Sequence, residues 1–369
     1  MNPIEITTHN LHFHDNASIF SIDATDTKIA TAGGDKAIRL WNIKTRPRKE
    51  KEFCYTTAIN STISLEYVAT LVRHPRTVNC IRFSPCKNYL ASCCDGGQVG
   101  IWELKEEGAE YINVKDIDGD DAYELAWGGN KLFVGFSSGR LILYEISKKE
   151  EIQKSKENIK NEEANKKIKI LYLPTLNIRL LHSVKAHSDI IQGLSYNPSF
   201  NLLTSMSKDR SAKTFLVDKK LTLIEKYDYL FNERMFADEK TKCFFRRLSY
   251  SEDGKLLYFC CGIGDIYGKN ANLKNKSKHC VYVMHYPFKS DNIIARIGPF
   301  DSSPIKILNY NKYLLVFTRR SLYLFKDKEF LVCINNMTFL QITDACIANG
   351  VVYVSAGDGF VSSMRASLD

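Results

Sequence analysis

The sequence has no run of about 18 apolar residues, the length that a membrane-spanning helix needs. Its first ten residues, MNPIEITTHN, carry neither the basic stretch nor the apolar stretch of a secretory signal. Proline is sparse at 9 residues, whereas the strand formers tyrosine and phenylalanine number 19 and 20. We therefore expect no membrane span, and a strand-rich protein of the cytosol or nucleus.

The 11 cysteines form neither a disulfide framework nor a zinc motif. Their number is odd, two pairs are adjacent in the chain (Cys93-Cys94 and Cys260-Cys261), and no C-x-x-C pair occurs. Paired histidines with metal-ligand spacing are also missing. We expect buried thiols in strands and no bound metal.

The motifs of common catalytic sites are missing too. The chain has no G-x-S-x-G elbow, no phosphate-binding loop and no H-E-x-x-H helix. The acidic run at residues 116–124 (DIDGDDAYE) lacks the twelve-residue loop with a terminal Glu that binds calcium. We predict no enzymatic activity, no cofactor and no catalytic residue.

The net charge of +9 arises from 51 basic and 42 acidic residues. Much of the excess lies in the lysine-rich stretches 44–52, 148–169 and 269–279. Such stretches contact phosphates or act as nuclear-import signals in some proteins, but most are solvated loops. The charge permits a nucleic-acid partner without indicating one.

What the sequence does contain is a repeat. Residues 69–104 hold a His after a strand, an alternating run, a tight turn, a second alternating run, a Gly/Asp turn and a strand ending in Trp102. Four short antiparallel strands cannot bury both faces alone, so such units stack radially. The pattern predicts an all-β fold, a β-propeller of WD repeats.

Seven blades are predicted within a single domain, residues 1–369. An aromatic or apolar residue ends the third strand of each repeat: Trp41, Trp102, Tyr144, Phe215, Met284, Phe325 and Met364. Three spacings are close to the repeat length of about 40 residues. The longer ones contain the stretches 44–65, 148–178 and 264–279, predicted to be flexible insertions, and 219–241.

Ring closure is predicted to use the amino-terminal segment. Few residues follow Met364, so the last blade needs a fourth strand from elsewhere. Residues 3–9 (PIEITTH) alternate like a strand and precede the first repeat. We expect them to complete the seventh blade and remove an open sheet edge.

A buried hydrogen-bond network is predicted in the better-formed blades. It links a His before the blade, a Ser or Thr, an Asp and the strand-end Trp. The candidates are His14, Asp35 and Trp41 in blade one, His74 and Trp102 in blade two, His187 and Asp209 in blade four, and Asp358 in blade seven. These residues are interpreted as structural rather than catalytic.

Residues 243–256, CFFRRLSYSEDGKL, are the most distinctive segment. Together with RMFAD at 234–238, they resemble the WD-repeat middle subunit of chromatin assembly factor 1. Residues 19–43, 78–85, 187–198 and 207–210 extend the resemblance over most of the chain. The related HIR-type corepressors carry a different flanking sequence at this repeat.

The resemblance implies a non-enzymatic scaffold in a nuclear histone chaperone that deposits core histones on newly replicated DNA. The implied partners are the large subunit of chromatin assembly factor 1, its small WD-repeat histone-binding subunit and core histones, contacted directly or indirectly. Longer members carry a tail that binds an Asf-type chaperone. The sequence given ends after the seventh blade, so that contact is not expected here.

Partner contacts are predicted at the end of the channel where the innermost strands begin. Alignment of the repeats on the IRFSP-type strand places one residue of each blade at this rim, with two acidic residues and a second arginine beside them: Phe20, Asn79, Asp120, Asp121, Tyr123, Gln192, Arg246, Arg247, Lys306 and Thr343. Aromatic, amide and cationic groups are enriched in protein interfaces. Arg246 and Arg247 should point to opposite sides of their strand, with Asp238 or Glu239 as possible ion-pair partners.

Two other functions stay open at this point. One is a HIR-type, replication-independent histone chaperone subunit. The other is the substrate receptor of a ubiquitin ligase, which would use the same face, although no adaptor-docking motif is evident.

Overall fold

The fold was analysed in a computed structural model, which describes residues 5–9, 14, 17–45, 63–113, 119–148, 176–230, 233–238, 243–264, 278–290, 292–327 and 329–365. These residues form thirty strands. None of the described segments forms a helix of the length and hydrophobicity needed to cross a membrane.

The strands of the first half are β1 (Glu5–His9), β2 (Ile19–Ala24), β3 (Lys28–Gly33), β4 (Ala37–Thr45), β5 (Ile63–Val72), β6 (Val78–Phe83), β7 (Tyr89–Cys94), β8 (Val99–Lys105), β9 (Gly108–Asn113), β10 (Ala122–Gly128), β11 (Lys131–Phe136), β12 (Arg140–Lys148), β13 (Leu176–Lys185), β14 (Ile191–Asn197), β15 (Leu202–Ser207), β16 (Ala212–Val217) and β17 (Leu221–Tyr227). Those of the second half are β18 (Tyr229–Leu230), β19 (Glu233–Arg234), β20 (Ser249–Tyr250), β21 (Leu256–Gly264), β22 (Lys278–His285), β23 (Ile293–Phe300), β24 (Lys306–Tyr310), β25 (Tyr313–Phe317), β26 (Ser321–Lys326), β27 (Glu329–Asn335), β28 (Ile342–Ala348), β29 (Val351–Ala356) and β30 (Val361–Arg365).

The strands assemble into seven four-stranded antiparallel sheets, the blades, with β18 and β19 forming a small additional hairpin. The first strand of every blade contacts the first strands of both neighbouring blades: β2, β6, β10, β14, β20, β24 and β28 form a closed ring. These are the innermost strands, and they surround a central channel. The predicted seven-bladed propeller is confirmed.

The amino-terminal strand closes the ring. Strand β1 pairs antiparallel with β30, from Glu5 opposite Arg365 to His9 opposite Val361. The order of blade seven is therefore β28-β29-β30-β1, and β1 supplies the outermost strand. His9 Nε2 lies 2.8 Å from Ser363 Oγ, which adds a side-chain link between the two strands. The closure predicted from the alternation of residues 3–9 is consistent with this pairing.

The core lies between the blades. Strands β7, β15 and β29 are buried at every residue because both of their faces are covered by adjacent blades. The outermost strands are largely exposed or half-buried, as β13 and β17 show. All seven predicted strand-end residues are buried: Trp41, Trp102, Tyr144, Phe215, Met284, Phe325 and Met364.

The predicted insertions need one correction. Residues 219–241 contain β17, the outermost strand of blade four, so they are not a simple insertion. The low hydrophobicity of residues 219–241 suggested an insertion, because only Leu221 and Tyr227 of β17 are buried and its other residues did not need to be apolar. The ends of the insertions 44–65, 148–178 and 264–279 also belong to strands, and their central parts lie outside the described residues.

Blade five departs from the regular pattern at its innermost strand. Strand β20 has only two residues, and the segment 243–248 precedes it. The amides of Arg246 and Arg247 donate to Gln192 O and Ile305 O, at 2.8 Å each, so this backbone is bound by blades four and six. A Cβ on Gly193 would lie 1.9 Å from Arg246 O, hence only glycine permits this approach.

Candidate functional site

The predicted rim residues occupy equivalent places in the ring. Five of them lie at the register shift of an innermost strand, where one extra residue bulges from the pairing: Phe20, Asn79, Tyr123, Gln192 and Thr343. Lys306 begins β24, and Arg246 and Arg247 precede β20. A bulge re-aims its side chain and commonly occurs next to functional sites.

Most of these side chains point into the protein rather than outward. Six are buried: Asn79, Asp120, Gln192, Arg246, Arg247 and Thr343. The bulge turns several of them toward the next blade. Asn79 Nδ2 donates to Ala122 O at 3.0 Å, Gln192 Nε2 donates to Phe244 O at 3.0 Å, and Thr343 Oγ1 donates to Ile19 O.

The acidic pair follows the same pattern. Asp120 is buried and accepts hydrogen bonds from Ser137 and Ser138 in its own blade. Asp121 accepts from the amide of Gly96 in blade two at 2.7 Å. The buried residues therefore fasten loops and neighbouring blades, and a contact between the predicted residues and a partner stays a prediction.

Arg247 reaches into the channel and contacts four other blades. Its Nε lies 2.8 Å from Glu124 Oε2, and its Nη1 lies 3.1 Å from Asp344 Oδ2. The same guanidinium donates to three backbone carbonyls, those of Phe20, Asn79 and Thr343. A residue of blade five thereby binds blades one, two, three and seven.

Arg247 belongs to an ion network that lines the channel. Arg82 bridges Glu124 (3.0 Å) and Asp344 (2.9 Å), and Lys306 lies 3.3 Å from Asp344 Oδ1. Burial alone would raise the pKa of Asp344, but the adjacent Arg247, Arg82 and Lys306 outweigh it and hold that pKa below its usual range. Asp344 is thus charged at neutral pH and is compensated by cations from other blades.

Asp23 is a third carboxylate near this network, beside Glu124 and Asp344. Its Oδ2 accepts the amide of Phe83 at 2.7 Å. Burial raises its pKa, and nearby Arg82 opposes the rise. Three cations therefore face three carboxylates, a balance that suits a structural network better than a site that binds a charged ligand.

Arg246 points away from the channel. It is buried, and its Nη2 donates to Ala237 O at 3.2 Å. Its Nε and Nη1 have no hydrogen-bond partner within the described part of the chain. The predicted ion pair with Asp238 or Glu239 stays a prediction, and Glu239 lies outside the described residues.

An aromatic cluster covers the channel where the innermost strands begin. Phe244 stacks on Phe20 with ring centroids 6.2 Å apart, and Phe245 contacts Tyr123 at 5.6 Å. The guanidinium of Arg247 lies 3.6 Å from the centroid of the Phe245 ring, a cation-π contact that joins the cluster to the network below. Phe244 is 54% exposed.

We call Phe20, Tyr123, Phe244 and Phe245 the aromatic mouth. Phe20 and Tyr123 were predicted from the sequence, whereas Phe244 and Phe245 were not. A signal was present, because a strand that alternates would leave part of the run of two phenylalanines and two arginines exposed.

A cleft of about 370 Å³ opens beside Phe244. Cys243, Ser303, Arg319 and Gln341 contribute to its lining. The aromatic mouth and this cleft form a concave surface that combines aromatic and polar side chains with a cationic edge, which is the type of surface that binds another protein chain.

The His, Ser or Thr, Asp and Trp residues form the predicted internal networks. In blade one, His14 Nε2 and Trp41 Nε1 bind Thr31 Oγ1 at 2.8 and 2.9 Å, and His14 Nδ1 faces Asp35. In blade four, His187 lies between Ser205 (2.8 Å) and Asp209 (3.0 Å). Both histidines are buried, so a structural role is supported.

Two further positions complete this comparison. Asp358 accepts the amides of Phe339 and Leu340 and thereby shapes the loop before blade seven. In blade two, His74 and Trp102 meet at Ser92, but His74 Nδ1 has no partner among the described residues. The nearest aspartate in sequence, Asp95, instead accepts from Asn79.

Because no described aspartate contacts His74 Nδ1, the stability contribution of this histidine should depend on pH. Burial lowers its pKa from 6.5 to about 4, with no carboxylate to oppose the change. Below pH 6.5 the unfolded chain binds a proton at His74 that the folded chain does not bind until about pH 4, so stability falls as the pH falls. Between about pH 7.5 and about pH 5 this histidine should cost about 2 kcal/mol of the free energy of unfolding.

Urea unfolding of the wild-type protein and His74→Gln at both pH values checks this expectation. The variant should be less stable at the higher pH but lose about 2 kcal/mol less on acidification. Equal losses in the two proteins would show that His74 does not titrate in this way.

No group of three or more His, Cys, Asp or Glu side chains is placed to hold a metal ion in the described ranges. Ten cysteines are described, and all are free thiols.

Comparison with known proteins identifies a family over nearly the whole chain and individual relatives over part of it. The family model described as the CAF1B/HIR1 beta-propeller domain matches residues 4–367. The B subunit of chromatin assembly factor 1 from Mus musculus is 24% identical over 290 residues, covering 69% of this chain and 44% of the mouse protein. Its counterpart of the same name from Saccharomyces cerevisiae is 24% identical over 306 residues, covering 76% of this chain and 62% of its own length.

A third relative bears another name. Protein HIR1 of Eremothecium gossypii is 25% identical over 257 residues, which cover 65% of this chain and 27% of that protein. The chain thus spans less than two thirds of the length of each of these relatives.

Proposed function

Since the chain belongs to the CAF1B/HIR1 β-propeller domain family, we propose that it is a non-catalytic scaffold subunit of a nuclear histone chaperone of the chromatin assembly factor 1 type. Such a complex deposits core histones on newly replicated DNA. The observation that carries the proposal is the family match over residues 4–367, together with relatives from several species that are named as the B subunit of chromatin assembly factor 1.

The structure supports a scaffold in two ways. The charged groups of the channel neutralise one another and hold the blades together. The histidines with aspartate partners are buried and engaged in loop-fixing hydrogen bonds. The surface that we propose for partner binding is the aromatic mouth with its cleft.

The proposed occupant of that surface is a segment of the large subunit. Exposed Phe244 and the adjacent cleft offer an anchor site for an apolar side chain, and Arg319 at the cleft suits an acidic residue beside it. Of the ten residues predicted from the sequence, Phe20, Asp121, Tyr123 and Lys306 keep partial exposure. The small WD-repeat subunit and core histones are proposed as further members of the assembly.

Affinity purification from cells that express the tagged chain, followed by mass spectrometry, tests the function. We expect a large subunit, a second WD-repeat protein and core histones. Recovery of ubiquitin-ligase adaptors without histones would overturn the proposal.

A HIR-type chaperone subunit is the second candidate, favoured by the relatives named HIR1. The large subunit separates the two, because a chromatin assembly factor should co-purify with the replication sliding clamp and a HIR-type complex should not.

Phe244→Ala is expected to weaken binding of the large subunit at least about tenfold, the loss typical of a buried aromatic anchor. A pull-down with purified proteins measures it. Phe330→Ala is the matched control, because Phe330 is 57% exposed on β27, an outermost strand away from the mouth.

Wild-type binding by a folded Phe244→Ala protein would remove the aromatic mouth as the docking surface. The family assignment would not be affected, since it rests on the sequence match.

A further inference from the structure

Two cysteines lie side by side behind the aromatic mouth. Cys243 Sγ and Cys261 Sγ are 3.5 Å apart. Cys261 lies in β21, where the pairing with β22 shifts register between Phe259 and Gly262, and its φ is +54°. This left-handed conformation is uncommon for a residue with a side chain and indicates a bulge that re-aims Cys261 toward Cys243.

The buried guanidinium of Arg246, which has no ion pair with a carboxylate of the described residues, lies beside this pair. The guanidinium of Arg246 makes one hydrogen bond, to Ala237 O, and leaves Nε and Nη1 unpartnered among the described residues. A buried charge is costly unless an opposite charge compensates it. A thiolate shared by Cys243 and Cys261 would supply that charge.

The acidity of the pair agrees with this geometry. Burial alone would raise the pKa of Cys261, but the adjacent Cys243 thiol and Arg246 lower it to about 7. The hydrogen bond to Cys261 raises the pKa of Cys243. One thiol of the two is therefore ready to lose its proton near neutral pH.

The pair is also accessible to a small reagent. Cys243 is half-buried and lines the 370 Å³ cleft, whereas Cys261 lies directly behind it. The buried Cys80 provides a contrast, because burial raises its pKa to about 12. Reactivity requires thiolate character and access, and in this pair Cys261 has the lowered pKa while Cys243 has the access.

We propose that Cys243 and Cys261 form a reversible oxidation site that a hydroperoxide converts into a disulfide. One thiolate attacks the peroxide, the O–O bond breaks, and the sulfur becomes a sulfenic acid. The other oxygen takes up a proton and leaves as an alcohol, or as water when hydrogen peroxide is the oxidant. The second thiol, as its thiolate, displaces the hydroxyl of the sulfenic acid, which takes up a proton and leaves as water. The two sulfurs lose two electrons in total, and a dithiol reductant returns them.

The disulfide would connect the start of segment 243–248 to β21. Because that segment carries Phe244 and Phe245, oxidation restrains the part of the chain that forms half of the aromatic mouth. The oxidation chemistry itself is independent of the proposed function.

The test treats the purified, reduced full chain with hydrogen peroxide and maps its thiols by differential alkylation and peptide mass spectrometry. We expect a Cys243–Cys261 cross-linked peptide before Cys80 is modified, and its complete reversal by dithiothreitol. Cys243→Ser and Cys261→Ser should each abolish the cross-link. Cys86→Ser, at an exposed cysteine, should leave it unchanged.

Arg246 is tested through the rate. Arg246→Met should slow formation of the cross-link at least tenfold near neutral pH, and Arg246→Lys, which keeps the charge, should retain most of the rate. If Arg246→Met does not fold, the peptide maps of the wild-type protein and of the two serine variants still show whether the Cys243–Cys261 disulfide forms. The proposal would be overturned if Cys243 and Cys261 could still be alkylated after peroxide had fully oxidised Cys86.

Discussion

Arg247→Met is expected to lower the free energy of unfolding by about 3–5 kcal/mol, the usual cost of removing one partner from a buried ion pair. The substitution keeps most of the side-chain volume but removes the cation beside Glu124 and Asp344. Both carboxylates are almost fully buried and cannot be hydrated in compensation. Three carbonyl groups, those of Phe20, Asn79 and Thr343, lose a donor as well.

The consequence should extend over the ring, because the lost contacts join blade five to blades one, two, three and seven. Urea unfolding followed by circular dichroism measures the change. Arg320→Met is the matched control, because Arg320 is exposed in the turn before β26, and its replacement should change stability by less than about 0.5 kcal/mol. Similar values for the two variants would show that the channel network contributes little.

Deleting residues 1–9 is expected to lower stability by about 3 kcal/mol, because blade seven loses several backbone hydrogen bonds with a net value of about 1 kcal/mol each. Blade seven would lose its outermost strand, together with the link from His9 to Ser363. The edge of β30 would then be unpaired. In a chain of this size the loss corresponds to a decrease of about 4 °C in the melting temperature.

The measurement uses the three tryptophans, Trp41, Trp102 and Trp127, which lie in blades one to three. If closure stabilises the whole ring, their fluorescence should report the same lower melting temperature as circular dichroism. Deletion of residues 1–4 alone retains β1 and should have little effect. An unchanged fluorescence transition in the longer deletion would mean that the strand acts only locally.

The blades were predictable because their signals are local. Alternation within six residues, turn residues such as Gly34 and Asp35, and a bulky residue at the third strand's end each act over a few positions. Local signals failed at β17, whose outer position leaves most of it in solvent, so that its composition resembles an insertion.

The orientation of the rim residues was not predictable in the same way. Asn79, Gln192 and Thr343 lie where the repeat alignment placed them, but a bulge in each innermost strand turns the side chain toward the adjacent blade. A bulge depends on the pairing of two strands and has no reliable marker in one of them.

The blade number and the regular strands of the blades thus follow from the order of residues along the chain, because each depends on neighbours close in sequence. The closing role of the first segment was inferred from its own alternation and from the missing fourth strand of the last repeat. The ion network and the aromatic mouth depend on closure of the ring, which brings Arg82 to Asp344, 262 positions away, and Arg247 to Glu124, 123 positions away. A strand pattern cannot encode which charges meet across a channel, since that depends on the number, tilt and register of all seven blades together.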